Sequence, residues 1–444
     1  MSTITLPLGA STIDVPLPDS WEVVGRVEPV ERPGLGDLAA ALRAALASPI
    51  GCAPMAAGEL AGKKIAIVVD DVTRPTPLRR YFGDIVSWLE GLGARRDDML
   101  VVNALGVHRD MTEAETMDRV GREALAGIRW VNSRPRDPDA NVDLGTTSRG
   151  TRVRLLRDMA GVDLIVCAGA IEPHLLLGFG GGLKMIIPGC AHETTIAANH
   201  MQGVSPGMFN YIGAMESPMR LDLEEGALRL GKRFFIVNAV MNSRLEVHAF
   251  VAGDPIKAHR AGVAIAESMY ARPVEGPPVD VAIVSSDPMN ADLRQGMKSI
   301  GNVERCVREG GMILALLDCR SGIGDIAMPP KALPNGLLRL ILRTIGRKRV
   351  LWFIDSVKKG AGVEERFMAH FSMQIVRKNR IMAWSPNLPP DTGKRLGLFV
   401  QHGDVGGMMD QARKAAPARA RVLVFPHGGV TYPVPGPALP SPLR

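Results

Sequence analysis

Cysteine and aromatic residues are scarce in this chain. Aromatics make up 5% of 444 residues, and the five cysteines (Cys52, Cys167, Cys190, Cys306, Cys319) are scattered, with no close CxxC pair. That set excludes a Cys-rich zinc site and fits thiols kept reduced, so a cytoplasmic protein is expected. No apolar run approaches the roughly 20 residues that span a bilayer. The amino-terminal stretch MSTITLPLGASTIDVPLPDSW shows no basic region followed by an apolar block, so neither membrane insertion nor secretion is expected. The formal charge is +7, but much of the basic excess is spread between Lys331 and Arg380 over helix-like segments without stacking aromatics. A solvated basic face, or attraction of acidic metabolites, accounts for it better than a nucleic-acid partner does.

With 46% hydrophobic residues the chain can bury more than one core, and its length suits two or three domains. From Lys64 onward strand-length apolar runs alternate with helical patterns. Lys64–Val69, Met99–Ala104 and Val162–Ala168 read as strands. A helix is expected from Gly36 to Ala47, another from Arg80 to Leu92, and a third over Thr112–Leu125 opened by a capping box of Thr112 and Glu115. A Pro/Gly-rich segment at 273–278 marks a boundary, after which Val279–Ser285, a helix Leu293–Arg308 and Met312–Leu317 repeat the pattern. Arg349–Ile354, Leu396–Val400 and Arg421–Phe425 are further strand candidates. The fold class expected is α/β: two α/β domains with mostly parallel sheets and an active-site cleft between them. The domains would span 1–272 and 273–432, with 433–444 as a Pro-rich tail.

Polar residues fall in a pattern on this layout. Asp71 and Arg74 follow the first strand, His108 the second and His174 the third, all at carboxyl ends, where parallel sheets bind ligands. Taken singly each is weak, since a loop histidine is more often a surface or hydrogen-bonding residue. Together they offer a bidentate partner for a carboxylate and two imidazoles able to take or give a proton at neutral pH. Two bases facing one carbon from opposite sides would suit a racemase or epimerase. Arg294, Gln295 and Lys298 begin the helix after Val279–Ser285, where an ordinary solvated face competes with a role in a ligand site.

The stretch GAIEPHLLLGFGGGLKMIIPGCAHETTIAANH (169–200) is unusual in joining His174 and His200, glycines at 178, 180, 181 and 182, and Lys184 behind them. It suits close backbone approach to an anionic group, with a flexible connection as the plain alternative. No histidine here has an HxxxH spacing, and His192 and His200 would stand more than about ten ångströms apart on a helix rising ~1.5 Å per residue. The protein alone displays no complete metal cage.

These motifs together resemble the lactate racemase family of nickel-pincer nucleotide enzymes. The likeness runs from about Ala61 to Pro433 and is carried by DDVTRPTP (70–77), GVHRDMTEAE (106–115), GAIEPHLLLGFGGGLKMIIPG (169–189), the ANH ending at His200, DLRQGMK (292–298), GGMILALLDCRSGIGD (310–325) and PHGGVTYP (426–433). The resemblance implies a pyridinium mononucleotide with two sulfur-containing arms that holds nickel. Lys184 would attach it covalently and His200 would ligate the metal. Asp71, Thr73, Gly178, Gly180, Gly181 and Gly182 would line its site. His108 and His174 would be the alternating acid and base, while Arg74, Lys298, Gln295 and Arg294 would bind substrate.

The implied activity is inversion of C2 of a 2-hydroxy carboxylic acid by reversible hydride transfer through a 2-oxo acid. The implied partners are that substrate and the enzymes that build the cofactor; a homo-oligomer is left open. Departures from the family pattern are Gly180 where Ser is usual, Leu183 before the lysine, Arg294 where Tyr is common, and WVNSRPRDP (130–138) without the His–Asp pair after Asn132. Arg294 beside Lys298 would suit a substrate with an additional carboxylate or polar group. The rival readings are a non-catalytic relative that binds nucleotide or organic acid, and a nicotinamide-dependent dehydrogenase. The latter would want GxGxxG at the first strand–helix turn, where DDVTRPTP has no glycine.

Overall fold

Apolar runs become strands along most of the chain. The computed structural model describes residues 2–203, 211–324, 326, 328, 334–346, 349, 352, 356 and 370–435. A hairpin of β1 (Ser2–Leu8) and β2 (Ser11–Leu17) opens the chain, and β3 (Glu22–Arg26) follows. Helix α1 (Leu38–Ala47) is capped by Asp37, which accepts from the Ala40 amide, and buries Leu38, Leu42 and Leu46 at the four-residue spacing of a single face. Then come β4 (Ile65–Asp70), α2 (Phe82–Gly91) and β5 (Met99–Ala104). Helix α3 (Glu113–Val120) carries the expected Thr112–Glu115 capping box but stops short of Leu125, because Gly121 takes φ 91° and a separate turn covers Arg122–Leu125. The short strands β6 (Arg129–Asn132), β7 (Asn141–Thr146) and β8 (Arg152–Leu156) precede β9 (Leu164–Ile171) and the two-residue pair β10 (Pro173–His174) and β11 (Gly178–Phe179).

Helices α5 (Glu193–Gly203) and α6 (Pro218–Leu228), counting the Arg122–Leu125 turn as α4, lead into β12 (Arg233–Met241), β13 (Val247–Gly253) and α7 (Lys257–Tyr270). After β14 (Ala271–Val274) and β15 (Val279–Ser285), α8 (Leu293–Val303) ends five residues before the expected Arg308. Val307 already begins β16 (Val307–Leu316). Helix α9 (Asn335–Ile345), β17 (Arg380–Trp384), β18 (Val400–His402), a helix at Val405–Ala415, β19 (Arg421–Phe425) and β20 (Tyr432–Pro435) complete the order.

The expected strand Leu396–Val400 is not one. Thr392–Leu396 is a helical turn ended by Gly397 at φ 71°, Leu398 and Phe399 are buried from the turn beyond it, and pairing starts only at Val400. The candidate Arg349–Ile354 lies mostly outside the described residues, as does the tail beyond Pro435.

Two compact units make up the chain. The central unit comprises residues 31–203 and 214–268; its six-stranded sheet has the order β13-β12-β9-β4-β5-β6, parallel except for β13. The terminal unit comprises residues 2–30, 211–213 and the described residues from 269 onward; its sheet, β18-β17-β16-β15-β19-β3, is parallel throughout. In the terminal unit the β1–β2 hairpin lays Leu6, Leu8, Val15 and Leu17 over Val281, Ile283, Leu314 and Leu316, while Met408, Met409 and Ala412 join the same core. In the central unit Ile65, Ile67, Val69, Val101 and Val166 pack with Phe82, Ile85 and Leu89 of α2 and with the apolar face of α1. No helix among the described residues is long and apolar enough to cross a membrane.

Ile67, fully buried in the middle of β4, tests that core. Ile67→Ala is expected to lower unfolding free energy by about 2–5 kcal/mol, read as a lower urea midpoint with an unchanged circular-dichroism spectrum before the transition.

Candidate active site

Strand order, more than sequence order, assembles the site. β4 lies between β5 and β9, so the loops leaving their carboxyl ends meet at one edge of the central sheet. Asp71, Thr73 and Arg74 leave β4, His108 follows β5, and Glu172 and His174 follow β9. Asp71 Oδ2 stands 2.7 Å from His108 Nδ1, with the two side chains 6% and 13% exposed. Asp71 Oδ1 accepts from the Thr73 amide at 2.8 Å and from its hydroxyl at 2.5 Å. Burial alone would push the Asp71 carboxyl up, but the His108 hydrogen bond and charge, with Arg74 and Thr73, outweigh it and hold it well below the usual carboxylate range. An ionised Asp71 makes Nδ1 of His108 the donor, which leaves Nε2 with its lone pair in the neutral ring.

Arg74 makes a connection that sequence reasoning missed: its Nη1 lies 2.9 Å from Glu172 Oε1, a carboxylate 6% exposed. Burial would weaken the guanidinium's hold on its proton, yet Glu172, Asp71 and Asp70 together raise its pKa. The signal for Glu172 was its place in AIEPH, two residues before His174. A second omission is Arg119 on α3. Its guanidinium donates to the Asp70 carbonyl at 3.1 Å, the Arg74 carbonyl at 3.0 Å and the Thr76 carbonyl at 2.8 Å, and closes on Asp70 Oδ1. Thr76 Oγ1 donates to the other Asp70 oxygen at 2.6 Å. One side chain therefore fixes the loop that carries Asp71, Thr73 and Arg74.

The glycine stretch is held just as firmly. A Cβ at Gly178 (φ 74°) would fall 1.9 Å from the Ala214 carbonyl oxygen, one at Gly181 (φ 76°) 2.8 Å from Ile171 Cγ1, and one at Gly182 (φ 60°) 2.9 Å from the His259 ring. Protein packing and positive φ are enough to require glycine at these three positions. Gly180 is different, since its added Cβ would come no nearer than 3.3 Å to Glu172 Cγ. A serine would need a shift of tenths of an ångström there.

Buried donors take up the carbonyls of the turn. Arg220, 1% exposed, donates to the Phe179 and Gly181 carbonyls, and His259 Nε2 donates to the Gly180 carbonyl at 2.8 Å. Arg260 donates to His259 Nδ1 at 2.9 Å and grips Glu224 with two bonds of 2.7 Å. Burial, then the Arg220 charge, push the His259 pKa well down, so the ring is neutral, as an acceptor Nδ1 requires. Burial brings Arg220 down to about 10, Glu224 opposing. Asn238 completes the support by accepting from the Gly182 amide at 2.8 Å. Half-buried Lys184 follows in the 3-10 turn Gly182–Met185.

The remaining imidazoles differ in tautomer. His174 Nδ1 accepts from the Leu176 and Leu177 amides at 3.2 and 3.3 Å, which places the proton of its neutral ring on Nε2. His200, on α5, donates from Nδ1 to the Ile196 carbonyl at 2.8 Å, leaving the Nε2 lone pair in the form that ligates metals. Its neighbour Asn199 donates to Asp222 on α6 at 2.7 Å, and Asp222 also accepts from Thr147 and Thr151, so α5 is anchored beside His200. Among the described residues no three His, Cys, Asp or Glu side chains converge as a metal site. In the terminal unit Asp292 caps α8 by accepting from the Gln295 amide at 2.8 Å, Gln295 is 2% exposed with Oε1 lacking a hydrogen-bond partner, and Arg294 and Lys298 are half-buried.

The depressed Asp71 carboxyl gives a stability test with a definite sign. A carboxylate whose folded pKa lies below the unfolded value of about 3.9 stabilises the fold above that value and loses the contribution as pH falls below it. Asp71→Asn is therefore expected to destabilise by roughly 2–3 kcal/mol at neutral pH. The gap to the parent protein should begin to narrow in urea titrations below about pH 4 and go on narrowing as the pH falls toward the depressed folded-state value.

Residues 8–209 match the lactate racemase N-terminal domain family. The lactate racemase of Thermoanaerobacterium thermosaccharolyticum is 27% identical over 333 residues, which is 73% of this chain and 76% of that protein. The lactate racemase of Lactiplantibacillus plantarum is 24% identical over 369 residues, 82% of this chain and 83% of that protein. Among solved structures, the Thermoanaerobacterium thermosaccharolyticum lactate racemase apoprotein shares the fold with a TM-score of 0.77 at 23% identity, covering 98% of this chain and 100% of that one. A Thermotoga maritima protein shares it with a TM-score of 0.60 at 17% identity over 84% of this chain and 94% of its own. The chain thus carries a lactate racemase N-terminal domain over residues 8–209, is similar to lactate racemases along most of its length, and is an isomerase of the racemase class.

Proposed function

We propose that the protein inverts C2 of a 2-hydroxy carboxylic acid with the help of a nickel-pincer nucleotide attached at Lys184. The observation that carries this is the pair of differently prepared imidazoles at one sheet edge. His108 offers an Nε2 lone pair because Asp71 takes its Nδ1–H, and His174 carries its proton on Nε2 because two backbone amides donate to its Nδ1. A base and an acid thus leave the strands on either side of β4, which suits alternating proton transfer to and from the substrate hydroxyl oxygen.

The chain's own residues fit the cofactor. His200 has its Nδ1 committed to the Ile196 carbonyl, and no three-residue metal cage occurs among the described residues, so a metal here needs donors from an organic group. Lys184 follows a turn whose carbonyls are already taken up by Arg220 and His259, a rigid base for a covalent tether. Asp71, Thr73 and the Gly178–Gly182 turn would line the nucleotide. When bound, the cofactor supplies reversible acceptance of the C2 hydride, the step for which no protein side chain is suited.

The protein's part is proton transfer and orientation. His108 Nε2 would take the substrate hydroxyl proton from one enantiomer, and His174 Nε2–H would return a proton on the other side; the reverse reaction exchanges these roles. Arg74, held by Glu172, would bind the substrate carboxylate in the central unit, and Lys298, Gln295 and Arg294 are the terminal unit's candidate substrate-binding residues.

The test is intact mass, nickel content and racemisation of protein made together with the cofactor-building enzymes. A mass adduct mapped to Lys184 with about one nickel per chain is expected. Lys184→Ala loses the adduct, whereas His200→Ala keeps the adduct and loses nickel. His108→Gln and His174→Gln are each expected to lower kcat by roughly 10²–10⁴ with the adduct retained. An unmodified, nickel-free protein that still racemises a 2-hydroxy acid would overturn the proposal.

A further inference from the structure

Glu172 is the partner of Arg74, and its main chain makes a second connection. Its carbonyl accepts from the Gly180 amide at 2.7 Å, beside the β10–β11 pair in which Pro173 faces Phe179 and His174 faces Gly178. Residues 172–180 are thus one narrow hairpin. It carries Glu172 and His174 two positions apart, the spacing that shares one strand face, and it ends in the turn before Lys184. The hairpin and the loop that bears Arg74 both belong to the central unit.

Arg74 is held at one corner of its fork. Nη1 donates to Glu172 Oε1 at 2.9 Å, whereas Nε and Nη2 donate to no acceptor among the described residues, and the side chain is 21% exposed. The Nε and Nη2 hydrogens run parallel along the other edge, the edge that takes a carboxylate with two bonds. The backbone is fixed separately, by Arg119 on the Arg74 carbonyl at 3.0 Å. Asp71 and Asp70 also supply counter-charge to the guanidinium. A third carboxylate is therefore not needed to balance the charge. What Glu172 adds is direction, because a bond to Nη1 alone sets the plane of the fork and leaves its two-bond edge for a ligand.

Glycine at 180 gives the Glu172 side chain its place. A Cβ there would lie 3.3 Å from Glu172 Cγ and 3.6 Å from the Glu172 carbonyl oxygen. Unlike Gly178, Gly181 and Gly182, Gly180 does not take positive φ, so its backbone admits alanine and the strain would fall on Glu172.

We propose that Glu172 is a positioning residue for substrate binding, holding Arg74 Nη1 so that the Nε–Nη2 edge meets the carboxylate of the 2-hydroxy acid, and that the bare Cα of Gly180 is what lets it do so; the inference rests on the racemase reading above. One hairpin then sets both the turn that precedes the cofactor tether and the side chain that receives the substrate. The sign of the effect separates this role from a purely electrostatic one. A carboxylate acting by charge alone repels the substrate anion, and removing it would lower KM; a positioning residue, when removed, raises KM.

The experiment uses the cofactor-loaded enzyme after the parent protein has been shown to racemise a 2-hydroxy acid, with the Lys184 adduct, nickel content and urea midpoint measured for each variant. Glu172→Ala is expected to raise KM for both enantiomers about tenfold with kcat changed less than about threefold. Glu172→Gln keeps an oxygen for Nη1 and should raise KM only about threefold. Gly180→Ala should keep the adduct, raise KM about threefold, and add nothing further to Glu172→Ala. Against Arg74→Lys, which lacks the fork, Glu172→Ala should raise KM less than about twofold. A folded Glu172→Ala or Glu172→Gln with parental or lowered KM, or a full tenfold rise retained beside Arg74→Lys, overturns the role of Glu172 alone, and a folded Gly180→Ala with parental KM overturns that of Gly180. A loaded parent that neither binds nor racemises any 2-hydroxy acid overturns the racemase reading and the role of Glu172 with it.

Discussion

Parallel pairing of β4 with β5 on one side and β9 on the other is the constraint on which the site depends. Ile65 lies in register with both Met99 and Leu164, and from that register the three strands deliver Asp71, His108 and His174 to a single edge. The strands are buried on both faces, so their sequences are nearly continuous in Val, Ile, Leu and Ala, and the polar chemistry is confined to the loops beyond them.

Loops of that kind lack a core of their own, and here buried charges take its place. Arg119 ties together the carbonyls of Asp70, Arg74 and Thr76; Arg220 does the same for the turn before Lys184, joined by the neutral His259 that Arg260 holds in place. Desolvating such ions is expensive, and they contribute little net stability unless every donor is satisfied. Their return is geometric. A guanidinium with three carbonyl partners admits only one arrangement of the loop, and reacting groups must hold their positions to fractions of an ångström.

Much of this was legible beforehand. Met99–Ala104, Val279–Ser285 and Arg421–Phe425 form strands over the expected residues, and the Thr112–Glu115 box caps α3, because apolar runs and caps are set by near neighbours in the chain. The likeness to lactate racemases, too, could be read from its motifs. Other features depended on distant residues. Glu172 as the partner of Arg74 spans 98 positions, and Arg220 reaches the Phe179 carbonyl across 41; neither carries a periodic signal. The glycines after Leu177 read as room for a ligand, but at 178, 181 and 182 the Cβ space is filled by Ala214, Ile171 and His259.

By itself the sequence determined the α/β class, most strand positions and the kinds of chemical group available, since these follow from hydrophobic period, capping and residue type. Only the tertiary structure decided that β3, from the first thirty residues, pairs with β19 near the carboxyl end, because an edge strand joins whichever sheet leaves its backbone groups unpaired. It also decided the tautomers. His108 and His174 are the same residue type after similar strands, and what distinguishes them is that one Nδ1 meets a carboxylate and the other meets two amides. Those partners come from the path of the folded backbone, which no single stretch of sequence contains.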